Sequence, residues 1–209
     1  MRLSGPLLGI LPAVINSNIE ELIDPSVVRP RLTAAAVYIA AFEYVKDYIC
    51  SQPRNFFSPD ALGGKENYRQ KVLSLDPNKQ PSPIRASLLW FKEMGAIDDS
   101  DLAIYKQLRT YRDELSHNLF GLLGAGGLPE GFDERYSQLT DLLRKVALWW
   151  IREIEIPCND EFAGEEIDDD KISGPETGLH LLRTVALGSE QESRSYLRAY
   201  WSISGRQDA

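Results

Sequence analysis

Apolar residues recur at spacings of three and four along most of this chain, the mark of α-helices that bury one face. The longest such run, Arg31–Ser51, carries Leu32, Ala35, Ala36, Ile39, Phe42, Val45 and Ile49, and its polar stripe narrows to Glu43, Lys46 and Asp47. A helix this apolar belongs mostly in a core, with Pro30 suiting its start and Pro53 its stop. Ahead of it, Ser17–Ile23 predicts a short helix ending before Pro25. Residues 52–83 hold Pro53, Pro59, Gly63, Gly64, Pro77, Pro81 and Pro83. They read as a long connection with a short helix near Lys65–Leu75, and connections of this length are often functional or mobile. Ile84–Met94 predicts a helix closed by Gly95. Asp98, Asp99, Ser100 and Asp101 supply caps and dipole-matched charge for the next, Ser100–Leu119. Its apolar stripe runs through Ile104, Leu108, Tyr111, Leu115 and Leu119. After a glycine-rich break over Leu123–Gly131, Asp133–Ile156 predicts a long helix through Leu139, Leu143, Val146, Trp150 and Ile154, stopped by Pro157.

No segment alternates as a strand does, and no repeat recurs. The pattern therefore predicts an all-α fold. An antiparallel helical bundle occupies residues 1–156, an acidic linker 157–174, and a C-terminal helical extension 175–209. The extension holds two weaker helical segments, Glu176–Ala186 and Glu190–Ser202.

Composition narrows the function classes. At 209 residues the chain can bury one good core. Its two cysteines, Cys50 and Cys158, have neither metal-ligand spacing nor a disulfide framework, which fits a reducing, cytoplasmic setting. The apolar run Pro6–Ile15, preceded by Arg2 and interrupted by Pro12, has only a thin positive start and no cleavage site, which argues against a signal peptide. No stretch approaches the roughly 20 apolar residues of a membrane helix, and the best, Leu32–Val45, is broken by Glu43. Net charge is −8. Residues 1–152 carry 18 Lys and Arg against 18 Asp and Glu, and residues 153–209 carry 5 against 13. The acidic excess thus sits at the C-terminal end, while the helical region is neutral and lacks the broad basic patch of a tight nucleic-acid binder.

The candidate chemistry lies late in the Ser100–Leu119 helix. Arg112 precedes His117, one of two histidines, by five residues. An imidazole that titrates near neutral pH and a permanent planar cation are the minimum for attack on a phosphodiester. Lys106, Arg109, Asp113 and His117 share the face opposite the apolar stripe, and Arg112 lies about 140° from His117. Asp113, four residues before His117, is placed to hydrogen-bond and orient the imidazole. Cleavage through a 2′-hydroxyl needs a base, an acid and a cation for the extra phosphorane charge. One chain supplies one histidine, so the chemistry calls for a homodimer that pairs two.

The run Arg112-Asp113-Glu114-Leu115-Ser116-His117, late in a helix of a small all-α bundle, resembles the signature of the HEPN domains: an arginine, four to six residues, then a histidine, often with a polar residue after the arginine. The resemblance spans roughly Arg31–Ile156. It implies a bundle that dimerises with its motif helices face to face. It also implies, for many members, metal-independent endoribonuclease activity in toxin–antitoxin, abortive-infection and other defence systems, with no cofactor. Carried over by position, Arg112 and His117 are catalytic and Asp113 supports them. Arg109 and Lys106 are the candidate RNA contacts. The partners implied are a second copy, RNA, and an antitoxin or other protein, with no membrane. Other members are non-catalytic binding modules. The chain departs from the pattern at Leu119, where many active members have tyrosine, and in its acidic C-terminal segment.

Plainer readings stand beside these. Arg112 and His117 also fit a solvated helix surface with ordinary Arg–Asp or Arg–Glu pairs. Gly124-Ala125-Gly126-Gly127 lacks the lysine and preceding strand of a phosphate loop and reads as a helix break. The acids from Asp160 to Asp170 lack calcium-loop spacing and read as a solvated linker. His180 is expected to pack at a helix boundary. Trp149, Trp150, Tyr196, Tyr200 and Trp201 are expected as core or interface anchors. Glu43 is either part of a surface stripe or a buried partner for Arg112.

Overall fold

The computed structural model describes residues 19–59, 64–124, 127–159, 172 and 174–204. Among them it holds nine α-helices and no strand. In chain order these are α1 (Ile19–Ile23), α2 (Pro25–Phe57), α3 (Gly64–Lys71), α4 (Pro83–Glu93), α5 (Asp99–His117), α6 (Leu119–Leu123), α7 (Phe132–Trp150), α8 (Glu176–Leu187) and α9 (Glu190–Ser204). The all-α helical bundle read from periodicity is the fold observed. Residues 1–18, most of the acidic linker, and Ala125 and Gly126 lie outside the described residues. So do the apolar run Pro6–Ile15 and the acids from Asp160 to Asp170.

The central element is α2, which packs against α4, α5, α7 and α8. Its inward positions Tyr38, Phe42, Val45 and Ile49 are fully buried with Phe91 of α4, Leu108 and Leu115 of α5, and Leu139, Leu143 and Val146 of α7. Burying side chains of this size stabilises the fold by about 1.5–3 kcal/mol each. An aromatic cluster closes one end: Phe56, Phe57, Trp90, Phe91, Trp149 and Trp150 meet edge-on or tilted, with ring centroids 5.0–6.5 Å apart. Trp149 and Trp150 are thus the core anchors their spacing predicts.

The helix expected over Arg31–Ser51 is longer than its prolines allow in isolation. Asp24 caps it by accepting the Ser26 N–H at 2.8 Å, and Pro25 opens it, so Pro30 and Pro53 both fall inside. Each proline removes one helical hydrogen bond. Helix formation survives Pro53 because that ring is buried and the next turn presents Phe56 and Phe57 to Trp150 and Trp90. Tertiary packing outweighs the local penalty.

Most of the predicted long connection is therefore structured. It contains the end of α2, α3, a 3-10 turn at Leu73–Leu75, and a loop wound around Asp76. The Asp76 carboxylate is buried and accepts from the backbone N–H of Ser82 (2.6 Å), the Asn78 amide (2.6 Å) and Arg85 Nε (3.1 Å). Those donors, the Ser82 N–H foremost, hold its carboxyl well below the usual carboxylate range. This hub gives the loop a structural task.

Downstream, α4 ends at Gly95, whose φ of +78° suits the left-handed stop that its sequence position predicts. A reciprocal cap between Asp98 and Asp101 opens α5. Lys145 of α7 reaches Asp101, tying that cap to the bundle. Past Trp150, α7 widens into a π-helical turn over Ile151–Glu155, with the Ile156 N–H donating to the Ile151 carbonyl at 2.8 Å.

The two C-terminal helices occupy the predicted segments. Leu179 of α8 is buried in the main core, its carbonyl accepts the Tyr136 hydroxyl at 2.8 Å, and Glu176 pairs with Arg144 at 2.7 Å. Helix α9 packs chiefly on α8 and has no buried residue. His180 is exposed on α8, contrary to the expectation that it packs at a helix boundary. Leu179 takes the inward position, and the next residue along a helix turns about 100° away. Tyr196 and Tyr200 are exposed as well.

Candidate functional site

Helix α5 carries every residue of the candidate site, and its inward face is set by Tyr105, Leu108, Tyr111 and Leu115. Arg112 lies at the edge of that stripe and turns towards α2. Its guanidinium lies over the Phe42 ring, 5.4 Å from the centroid. One terminal nitrogen donates to Asp113 at 2.7 Å and the other to Glu43. Glu43 also accepts from Lys46, and Asp113 receives Arg109 at 3.7 Å. The result is an alternating chain of charge, Arg109–Asp113–Arg112–Glu43–Lys46, bridging α2 and α5. It holds three cations against two carboxylates. Glu43 is thus the partner of Arg112, although half exposed.

Arg112 Nε is buried without a hydrogen-bond partner. The same guanidinium lines a small cleft of about 190 Å³ with Phe42, Lys46, Ser82, Ile84, Tyr105 and Arg109. Burial raises the Tyr105 hydroxyl above its usual range, so the phenol is a neutral wall and not a base. Three cations, Lys46, Arg109 and Arg112, line it, and such a set can take an oxyanion the size of phosphate. Lys106 and Arg109 line the adjoining groove between α4 and α5, with Ile84, Arg85, Leu88, Leu89, Leu102 and Tyr105. The two candidate RNA contacts therefore stand together, beside Arg112.

His117 stands apart. It is the last residue of α5, exposed, and its side chain makes no hydrogen bond or ion pair among the described residues. It does not line the cleft that Arg112 enters. Asp113 faces the two arginines and does not hold the imidazole, because two guanidinium partners outcompete one ring nitrogen at the helix surface. Immediately after His117, Asn118 breaks the helix (φ −117°, ψ 20°) and α6 begins. A Cβ on Gly121 would meet only the Asn118 side chain, whose exposed amide can swing aside. Arg31 of α2 fastens the far end of α6 by donating to the carbonyls of Leu123 and Gly124, and it also pairs with Glu21. The glycine break is a helix ending here, as its composition predicts.

Lys46, Ser82 and Asp76 are the residues that sequence reasoning passed over. Lys46 carried a faint signal, three residues after Glu43 in the narrow polar stripe of an apolar helix. Ser82 and Asp76 carried none, since their partners lie in the folded loop. Burial raises the Cys50 thiol, so it is poorly suited as a nucleophile. Among the described residues no cluster of His, Cys, Asp and Glu can hold a metal ion, and no helix is long and apolar enough to cross a membrane. Comparison with family models, with curated proteins and with solved structures finds no match to this chain.

Proposed function

We propose that this chain is a metal-independent endoribonuclease of HEPN type, working as a homodimer in a defence or toxin–antitoxin setting. The observation that carries the reading is the Arg112-Asp113…His117 run in the closing turns of α5 of an all-α bundle, with its imidazole exposed and unengaged. In the proposed reaction one subunit's His117 takes the proton of a ribose 2′-hydroxyl, and the freed oxygen attacks the adjacent phosphorus. The bond to the 5′-oxygen breaks, and the second subunit's His117 returns a proton to it. Arg112 exchanges Asp113 or Glu43 for a non-bridging phosphate oxygen and offsets the extra charge of the phosphorane. Arg109 and Lys106 hold the flanking backbone. The products are a 2′,3′-cyclic phosphate and a 5′-hydroxyl.

Incubating the purified protein with single-stranded RNA in EDTA tests this. Cyclic-phosphate ends are expected, and His117→Ala is expected to abolish them while leaving Tm unchanged, since the side chain is exposed and makes no hydrogen bond or ion pair among the described residues. Folded protein that leaves the RNA intact overturns the assignment for those substrates.

A second reading, a non-catalytic binding module of the same fold, is favoured by one specific observation: Arg112 is already held by Glu43, Asp113 and the Phe42 ring. Arg112→Lys separates the two. A purely structural arginine shows itself in a lowered Tm with RNA behaviour unchanged. An arginine that meets phosphate shows itself in lost cleavage.

A further inference from the structure

The aromatic cluster at one end of the bundle leaves a groove beside it. About 920 Å³ of space remains among the ends of α2, α4 and α7, and Phe56, Phe57, Trp90 and Trp149 line it. Trp90 is 4% exposed, and the other three rings are half-buried. Neighbouring rings stand nearly at right angles: Phe56 to Phe57 at 81°, Phe57 to Trp90 at 89° and Trp90 to Trp149 at 85°. Their π faces therefore point in more than one direction. Two carboxylates, Glu93 and Glu153, line the same space with one lysine, Lys71. All three are exposed, and none has an ion pair among the described residues. Glu153 belongs to the π-helical turn Ile151–Glu155 that follows α7. Such turns are rare and concentrate at functional sites.

We infer that this groove is a binding site for a small alkylated ammonium compound, its cation set against the indole and phenyl rings and its charge balanced by Glu93 and Glu153. Size argues for a small molecule, since such sites occupy roughly 300–1,000 Å³. Charge selects the ligand's sign. Two carboxylates against one lysine leave the lining negative, which disfavours an anion. The aromatic quadrupole attracts a cation within about 6 Å of a ring centroid, most strongly at tryptophan. An alkylated ammonium meets both demands, because its methyl groups suit an apolar wall while its charge suits the carboxylates. A bare metal ion suits neither: no cluster of His, Cys, Asp and Glu among the described residues can hold one, and rings supply no oxygen ligands. A wholly apolar ligand would leave the two unpaired carboxylates unused. The groove reaches Gly95, just ahead of α5, whereas His117 closes that helix of 19 residues, about 28 Å further along.

The site is thus separate from Arg112 and His117 and does not depend on the ribonuclease reading. Titrating choline into the isotope-labelled full chain, while following the indole N–H signals by NMR, tests it. Choline is expected to shift the Trp90 and Trp149 signals saturably at millimolar concentration and to leave that of Trp201, on α9, in place. Dimethylbutanol, the neutral carbon isostere, is expected to bind at least about tenfold more weakly, since only the charge differs. Glu93→Gln/Glu153→Gln is expected to weaken choline binding by about fivefold to tenfold and to leave the alcohol unaffected. Both glutamates are exposed and outside the core, so the variant is expected to keep the wild-type spectrum without ligand. The inference is overturned if neither indole shifts saturably, if choline and the alcohol bind equally, or if the folded variant binds choline as wild type does. Shifts produced by a trimethyl-lysine peptide and not by choline assign the groove to a protein tail and overturn the small-molecule reading. No RNA enters the measurement, so its failure and the failure of the nuclease assignment are read separately.

Discussion

Arg112 shows how one side chain answers to two demands. Its ion pairs with Glu43 and Asp113 are partly exposed, the arginine itself at 25% and both carboxylates at 37%. Pairs in such positions contribute about 0–1 kcal/mol each, so a phosphate oxygen can replace one at small cost. A fully buried pair would resist that exchange far more strongly. The sequence made Glu43 conspicuous as the first acid of the narrow polar stripe on an apolar helix, but only the crossing of α2 over α5 brings it to Arg112. Asp76 is the opposite case, a buried carboxylate with no sequence signal. Because its native pKa is depressed, its stabilising effect is complete above the ordinary value of 3.8 and is lost as pH falls through that value towards the lower native one. Asp76→Asn is therefore expected to lower stability most at neutral pH. Denaturant titrations at a series of pH values should show the gap to wild type closing below about pH 4.

At the scale of elements, local rules worked where caps were explicit and failed where packing overrode them. Gly95 and the Asp98–Asp101 cap stand where the residues indicated, because their signals act within one turn. Pro30 and Pro53 misled because a proline's cost is local while the reward for continuing a helix is not. Pro30 is exposed and lies in the second turn of α2, where its ring displaces the bond to the Ser26 carbonyl. Pro30→Ala is expected to restore that bond and raise stability by about 2 kcal/mol, the helix-interior penalty less the entropy that proline removes from the unfolded chain. A higher Tm with unchanged helix content would bear this out, and a lower one would show that the ring packs usefully. The break at Asn118 is a milder instance: the stripe through Leu119 runs on in sequence, but the helix restarts there.

For the whole molecule, α8 and α9 contribute unequally. Helix α8 places Leu179 in the core and locks onto α7 through Tyr136 and Arg144, whereas α9 touches little beyond α8. A chain ending after Gly188 is expected to fold with a Tm within a few degrees of wild type. One ending at Gly174 loses the cover over α2 and α7, exposes Leu179's site, and should unfold at a distinctly lower temperature, with calorimetry distinguishing the two. Comparable Tm values for both truncations would mean that α8 adds little to the bundle. The division of labour follows from burial: Leu179 is 3% exposed and Ile203 88%.

Hydrophobic periodicity and capping residues determined on their own that this chain is an all-α bundle, where most of its helices lie, and that Arg112 and His117 share one of them. Such features rest on interactions within a few residues. Tertiary structure alone decided that Arg112 turns to Glu43 while His117 faces outward, that Asp76 organises the loop before α4, that α2 runs through its prolines, and that Leu179 of α8 is buried while Tyr196, Tyr200 and Ile203 of α9 stand exposed among the described residues. Each of those depends on residues tens of positions apart meeting in space, where a helix pattern states which face is apolar but not what lies against it.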